Sequence, residues 1–202
     1  MISKISCRLT YLLMKNAENA EDSQYREVYQ YVFFIILNYL FFFGYSLILG
    51  TLLGVPFQSV VFFISIALLR RYAGGYHANT ENRCLIISSV YFLTGIILIK
   101  IMNLYADRIN FNIILSISVI CSLIILSLCP CDSLSKPVAK EKVKRIRIKC
   151  MALIVMMLTA MLFLLRLNKP QFISLFFSAI VIETVLMIAG KIKTKTTCHI
   201  EH

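Results

Sequence analysis

A histidine and a cysteine seven residues apart, His77 and Cys84, are the side chains in this sequence best suited to divide proton transfer and nucleophilic attack between them. They lie in Arg70-Arg71-Tyr72-Ala73-Gly74-Gly75-Tyr76-His77-Ala78-Asn79-Thr80-Glu81-Asn82-Arg83-Cys84, a polar, basic stretch between two apolar runs. Imidazole is the side chain that exchanges protons near neutral pH. The thiolate is the nucleophilic form of cysteine, and it is favoured at a helix N-terminus or beside a cation. Asn79 or Thr80 can cap the helix that follows, which puts Cys84 in or just after its first turn with Arg83 adjacent.

The spacing also sets a constraint. A continuous helix from 77 to 84 would separate the two Cα atoms by about 10.5 Å along its axis. That is too far for a reliable imidazole–thiol contact, so the helix should begin after His77 and the chain should fold back. Gly74-Gly75 permits the reversal because glycine accepts positive φ cheaply. Their amides are also candidate oxyanion donors, a weaker claim. As spacing alone such a pair is usually incidental; its place on a polar loop between membrane spans gives it weight.

The elements that must hold this loop are legible in the composition. The chain has 202 residues, 59% hydrophobic and 15% charged, against roughly 25% charged in soluble domains. Its several long apolar runs read as bilayer-spanning helices, so the expected fold is an all-α polytopic membrane protein. The net charge of +11 comes with no groove-reading motif, and nucleic acid is not an expected partner. Seven cysteines without regular spacing, several within apolar runs, argue against a disulfide framework and for a reduced compartment.

Residues 1–30 combine Lys4, Arg8, Lys15 and Arg26 with Ile5, Leu9, Leu12 and Leu13. This pattern suits an amphipathic helix on an anionic membrane surface, or one packed on the protein's own loops. It lacks the features of a cleavable secretory signal. Apolar runs follow at 31–54, 57–69, 85–102, 112–128, 151–167 and 170–190. The second is short: about 13 residues rise only about 20 Å, against a hydrocarbon core near 30 Å. It spans if 55–73 stay helical with Arg70 and Arg71 snorkelling, and the competing reading is a re-entrant hairpin. With the N-terminus inside, seventeen of the twenty-one Lys and Arg residues fall on inner segments. Only Lys100, Arg108, Arg166 and Lys169 lie at or near outer ends. The positive-inside rule then predicts about six spans in a 31–190 membrane domain, with both termini, the loop 70–84 and the basic segment 129–150 cytoplasmic.

Other residues carry weaker signals. Lys140, Lys142, Lys144, Arg145 and Arg147 set topology and attract anionic lipid, or they dock an acidic substrate. Glu81, Asn79 or Asn82 could orient the histidine, although capping or solvated roles are favoured. Glu183, inside the last run, is an intramembrane carboxylate and hence a functional suspect, but it stays outside the expected site. Cys129-Pro130-Cys131 lacks the spacer and second ligand pair of a metal site, and no metal or cofactor is expected. Cys198-His199 with His202 reads as a tail. Cys7, Cys121 and Cys150 read as packing residues, with Cys7 and Cys150 also open to acylation. Metalloprotease and paired-carboxylate signatures do not occur.

Arg70, Gly74-Gly75, His77 and Cys84, within Arg-Tyr-Ala-Gly-Gly-Tyr-His-Ala-Asn-Thr, closely resemble the signature of the accessory gene regulator protein B (AgrB) family. The resemblance extends to chain length, the amphipathic start, about six spans and the Lys-rich late segment. It implies a membrane cysteine endopeptidase of a Gram-positive bacterium that processes the precursor of a cyclic autoinducing peptide. It implies His77 and Cys84 as the catalytic pair, and structural or substrate-orienting roles for Arg70 and Gly75. It also implies a precursor partner with an amphipathic leader and an acidic C-terminal tail, and a homodimer. The alternative class, a non-enzymatic peptide exporter, would need internal repeats or matched interrupted helices, which the sequence lacks.

Overall fold

A computed structural model describes residues 2–14, 23–76, 80–130, 140–167 and 169–200; the side chains of some helix-end residues, 140–142 and 194–200 included, fall outside that description. Seven helices make up the regular structure among the described residues: α1 (Ile2–Met14), α2 (Ser23–Leu52), α3 (Pro56–Ala73), α4 (Glu81–Leu104), α5 (Phe111–Leu128), α6 (Lys140–Arg166) and α7 (Ile173–Ile200). Short 3-10 turns at Ala106–Arg108 and Pro170–Phe172 lead into α5 and α7. The chain divides into two compact units, Met1–Tyr45 and Ser46–His202.

The first unit holds α1 and most of α2. In α1 the small polar residues Ser6 and Thr10 are buried while Ile5, Tyr11 and Leu12 are exposed. Ser6 donates to the Ser3 carbonyl and Thr10 to the Ser6 carbonyl, so neither hydroxyl is left unsatisfied. The outward apolar residues suit a lipid surface. The α2 segment of this unit also carries large apolar residues outward, Tyr39, Leu40 and Phe41 among them.

The second unit is a helical bundle. Among the described residues, five helices are long and apolar enough to cross a membrane: 26–52, 82–104, 111–128, 143–166 and 173–193. α3 is not among them: it is as long as α5, but two arginines, Arg70 and Arg71, fall within it. It is one unbroken helix of 18 residues, about 27 Å long, and not a hairpin. Pro56 fits its first turn, where the missing N–H costs nothing, and Arg70 and Arg71 sit in its last turn, where cations favour the exposed carbonyls.

The last helix is the centre of the bundle. Two thirds of its span (67%) is buried, against 28% or less in the other four. It packs on α3, α4, α5 and α6, while the opposite faces of those helices carry Ile86, Val90, Ile120, Leu123, Val155 and Phe163 outward. Lipid tails are as apolar as leucine, so burial alone cannot hold such helices together, and close packing of small residues must contribute. Ser59, Ser65, Ser88, Ser118, Ser122, Ser174 and Ser178 are all buried. Hydroxyls also tie elements together: Ser46 donates to the Ser59 carbonyl at 2.8 Å, Ser174 to Asn103 Oδ1 at 3.0 Å, and Thr184 to the Cys121 carbonyl at 3.4 Å.

Candidate active site

Cys84 lies one turn into α4. Thr80 caps this helix with extended backbone, and its side chain accepts from the Arg83 amide at 3.4 Å. The Cys84 amide closes the first helical bond, to the Thr80 carbonyl at 3.0 Å. The thiol is therefore a half-buried group near the positive end of a 24-residue helix. Four and seven residues on, Ser88 and Tyr91 share its face. Tyr91 hydrogen-bonds Ser88 and is electrostatically coupled to Cys84, Arg70 and Glu183.

Arg70 approaches the same place from α3. Its guanidinium carbon stands 5.3 Å from the centre of the Tyr91 ring, a cation–π arrangement. Its Nη2 donates to the Tyr76 carbonyl at 2.7 Å, holding the peptide that leads into His77. Between Arg70 and Tyr76 the chain reverses through Gly74 (φ 85°) and Gly75 (φ 136°), both in the region that L side chains avoid. His77, Ala78 and Asn79 lie outside the described residues. Both flanks of that segment are fixed, on one side by Arg70 and on the other by the Thr80 cap.

The floor beneath this reversal is α7. A Cβ at Gly190 would stand 3.0 Å from Gly75 C and Tyr76 N, so that peptide lies flush on the helix. Lys193 Nζ sits 4.9 Å from the centre of the Tyr76 ring. Seven residues before Gly190, Glu183 is fully buried, and its Oε1 is the atom nearest the position a Gly75 Cβ would take. Neither oxygen of Glu183, nor Arg70 Nη1, has a hydrogen-bond partner. Residues 183, 186, 190 and 193 thus form one face under the loop. Glu183 showed in the sequence as an intramembrane carboxylate. The further signal was Gly190, seven residues later on the same face.

The profile of the family described as accessory gene regulator B matches residues 6–188. This chain belongs to that family. Among its relatives, an AgrB-like protein of Clostridium perfringens (strain SM101 / Type A) is 25% identical over 146 residues, which are 70% of this chain and 63% of the relative. The accessory gene regulator protein B of Staphylococcus intermedius is 27% identical over 111 residues, 55% of this chain and 56% of its own. An AgrB-like protein of Halalkalibacterium halodurans is 31% identical over 106 residues, 52% of each. The chain therefore spans between about half and just under two thirds of these relatives' lengths. No solved structure matches it. Membership in this family, with the long apolar helices, makes the protein a membrane protein of the accessory gene regulator B family.

The basic segment divides on inspection. From Lys140 onward it is helical, forming the first turns of α6. Lys144 and Arg145 are exposed. Arg147 is committed elsewhere: its Nε and Nη2 both donate to the Cys129 carbonyl, at 3.1 and 2.9 Å. The side chains of Lys140 and Lys142 lie outside the described residues.

For Cys150 the packing reading holds. Cys150 is fully buried, so it packs and does not offer a surface for acylation. Cys129 neighbours Cys150, which acts as hydrogen-bond donor to it, and its own thiol donates to the Tyr72 carbonyl at 3.6 Å. Cys131 lies outside the described residues.

Proposed function

We propose that this AgrB-family protein is a membrane cysteine endopeptidase that cleaves the C-terminal tail from a precursor peptide and promotes cyclisation of the remainder. The observation that carries this reading is Cys84 itself: a half-buried thiol one turn into a capped helix, on the α4 face that meets Arg70, with the glycine reversal leading toward His77. A half-buried thiol beside a polar turn is suited to nucleophilic attack once a neighbouring base takes its proton.

In the reaction, His77 takes the Cys84 proton and the sulfur attacks a backbone carbonyl of the precursor. The C–N bond breaks, the acidic tail leaves as an amine after receiving the proton from His77, and a thioester remains on Cys84. A Cys or Ser side chain on the bound peptide then attacks that thioester, giving up its proton. Cys84 is released as thiol, and a thiolactone or lactone ring forms. A second nucleophile tethered on the same chain has a high effective molarity, which lets ring closure outrun hydrolysis.

The charge distribution supports a cytoplasmic catalytic loop and cytoplasmic termini. Exposed Lys144 and Arg145 would then face an acidic precursor tail and anionic lipid alike. The deciding experiment expresses precursor with wild-type or Cys84→Ala protein in the same host. Loss of both tail cleavage and ring formation is expected, and unchanged processing would reject the reading.

A further inference from the structure

Glu183 is the one carboxyl group buried inside the bundle among the described residues, and nothing in the proposed reaction uses it. Burying such a group without a hydrogen-bond partner is costly, and neither of its oxygens has one. The group opposite it is equally underused: Arg70 spends Nη2 on the Tyr76 carbonyl while Nη1, also buried, has no partner. The two are electrostatically coupled without being in direct contact. Between them runs the glycine reversal, with Glu183 Oε1 against Gly75.

Three further contacts come from the same helix face. Leu186 Cβ also faces Gly75, Gly190 receives the Gly75–Tyr76 peptide, and Lys193 lies over the Tyr76 ring. An α7 that served only as a span would not need a carboxyl group at the level of this turn. Its apolar neighbours Leu186 and Met187 show that the surroundings would accept an apolar residue.

We propose that Glu183 is a positioning residue: from α7, its buried carboxyl group and the Arg70 guanidinium hold the Gly74–Tyr76 turn between them and so fix the peptide from which His77 extends. This inference rests on the catalytic reading above. It adds α7 to the site and gives the buried Glu183 carboxyl group a role in holding the turn. Glu183 touches no reacting atom; it acts through the turn.

The test is a mutant cycle read at the thiol. Membranes containing the full chain are treated with iodoacetamide near neutral pH, and alkylation of Cys84 is timed by peptide mass spectrometry. The variants are Glu183→Gln, His77→Ala and the double variant, each normalised to protein present. Glu183→Gln is expected to slow alkylation on the order of tenfold to a hundredfold when His77 is present, the scale of a misplaced catalytic group. In the His77→Ala background it should change the rate by less than about twofold, because the lost effect runs through His77. Glu183→Asp should restore part of the rate. Equal slowing in both backgrounds, or slowing in neither, would overturn the positioning role and leave the catalytic pair untouched. If His77→Ala alone changes neither alkylation nor precursor cleavage, the catalytic reading fails and this one with it. Should Glu183→Gln not accumulate, Glu183→Met, an apolar side chain like its neighbours Leu186 and Met187, goes through the same cycle with the same expected and overturning results.

Discussion

Arg147 places two donors on the Cys129 carbonyl, Nε at 3.1 Å and Nη2 at 2.9 Å, and so ties the start of α6 to the end of α5. That bond separates the basic residues of this region into two kinds. Arg147→Ala should lower the thermal stability of the purified protein by about 1–2 kcal/mol, the scale of a charge-assisted hydrogen bond partly open to solvent. Lys144→Gln with Arg145→Gln should leave stability nearly unchanged. The pair should instead weaken precursor binding, more at low salt than at high. Binding titrations at two ionic strengths beside a thermal melt check both halves. Equal salt dependence in wild type and the double variant would remove Lys144 and Arg145 from docking.

The Thr80 cap makes a narrower prediction. Thr80→Ala leaves the Arg83 amide without its side-chain acceptor at the start of the helix that carries Cys84. Loss of such a cap costs about 1 kcal/mol, concentrated in the first turn. Tail cleavage should fall severalfold with Thr80→Ala and return with Thr80→Ser, which keeps the hydroxyl. Measured cleavage rates for the two variants at matched expression decide it.

At Gly75 the obstacle to substitution is the backbone. A Cβ there would stand 3.6 Å from Glu183 Oε1, an ordinary contact, but φ is 136°. Holding an L residue in such a conformation costs about 1–3 kcal/mol. Gly75→Ala should therefore open the reversal and abolish cleavage while the protein still inserts in the membrane at normal levels. Cleavage assays with membrane fractionation test this; wild-type activity in Gly75→Ala would show that the turn geometry is dispensable.

Much of this was legible in the residues, for identifiable reasons. Apolar runs of helical length announce spans because the bilayer leaves the backbone few alternatives. The Thr80 cap and the Gly74-Gly75 reversal follow from local chemistry that tertiary structure rarely overrides. The continuity of α3 was ambiguous, since 57–69 alone is too short, and it resolves because Arg70 and Arg71 extend the helix to Ala73. What sequence could not supply was which helix lies under the loop. Glu183 and Gly190 are more than a hundred residues from Gly75, and no local pattern pairs them. Likewise, Cys129 meets Cys150 across a connection that sequence reads only as a basic loop.

The Cys129–Cys150 contact carries the last prediction. Hydrogen bonding from Cys150 pulls the Cys129 thiol below its ordinary value; burial opposes this, and Arg147 adds to it. A lowered pKa raises the thiolate fraction at neutral pH, and the thiolate is the form that enters disulfide chemistry. Mild oxidation of membranes with a copper–phenanthroline oxidant should therefore join Cys129 to Cys150. The two thiols lose two protons and two electrons, the electrons passing to the oxidant, and denaturing mass spectrometry reports the linked peptides. The pH midpoint of that oxidation should lie below that of an unperturbed thiol. It should rise in Arg147→Ala, which removes a cation favouring the thiolate. Linkage of Cys129 to another cysteine, or a midpoint unmoved by Arg147→Ala, would show that this junction is not arranged as described.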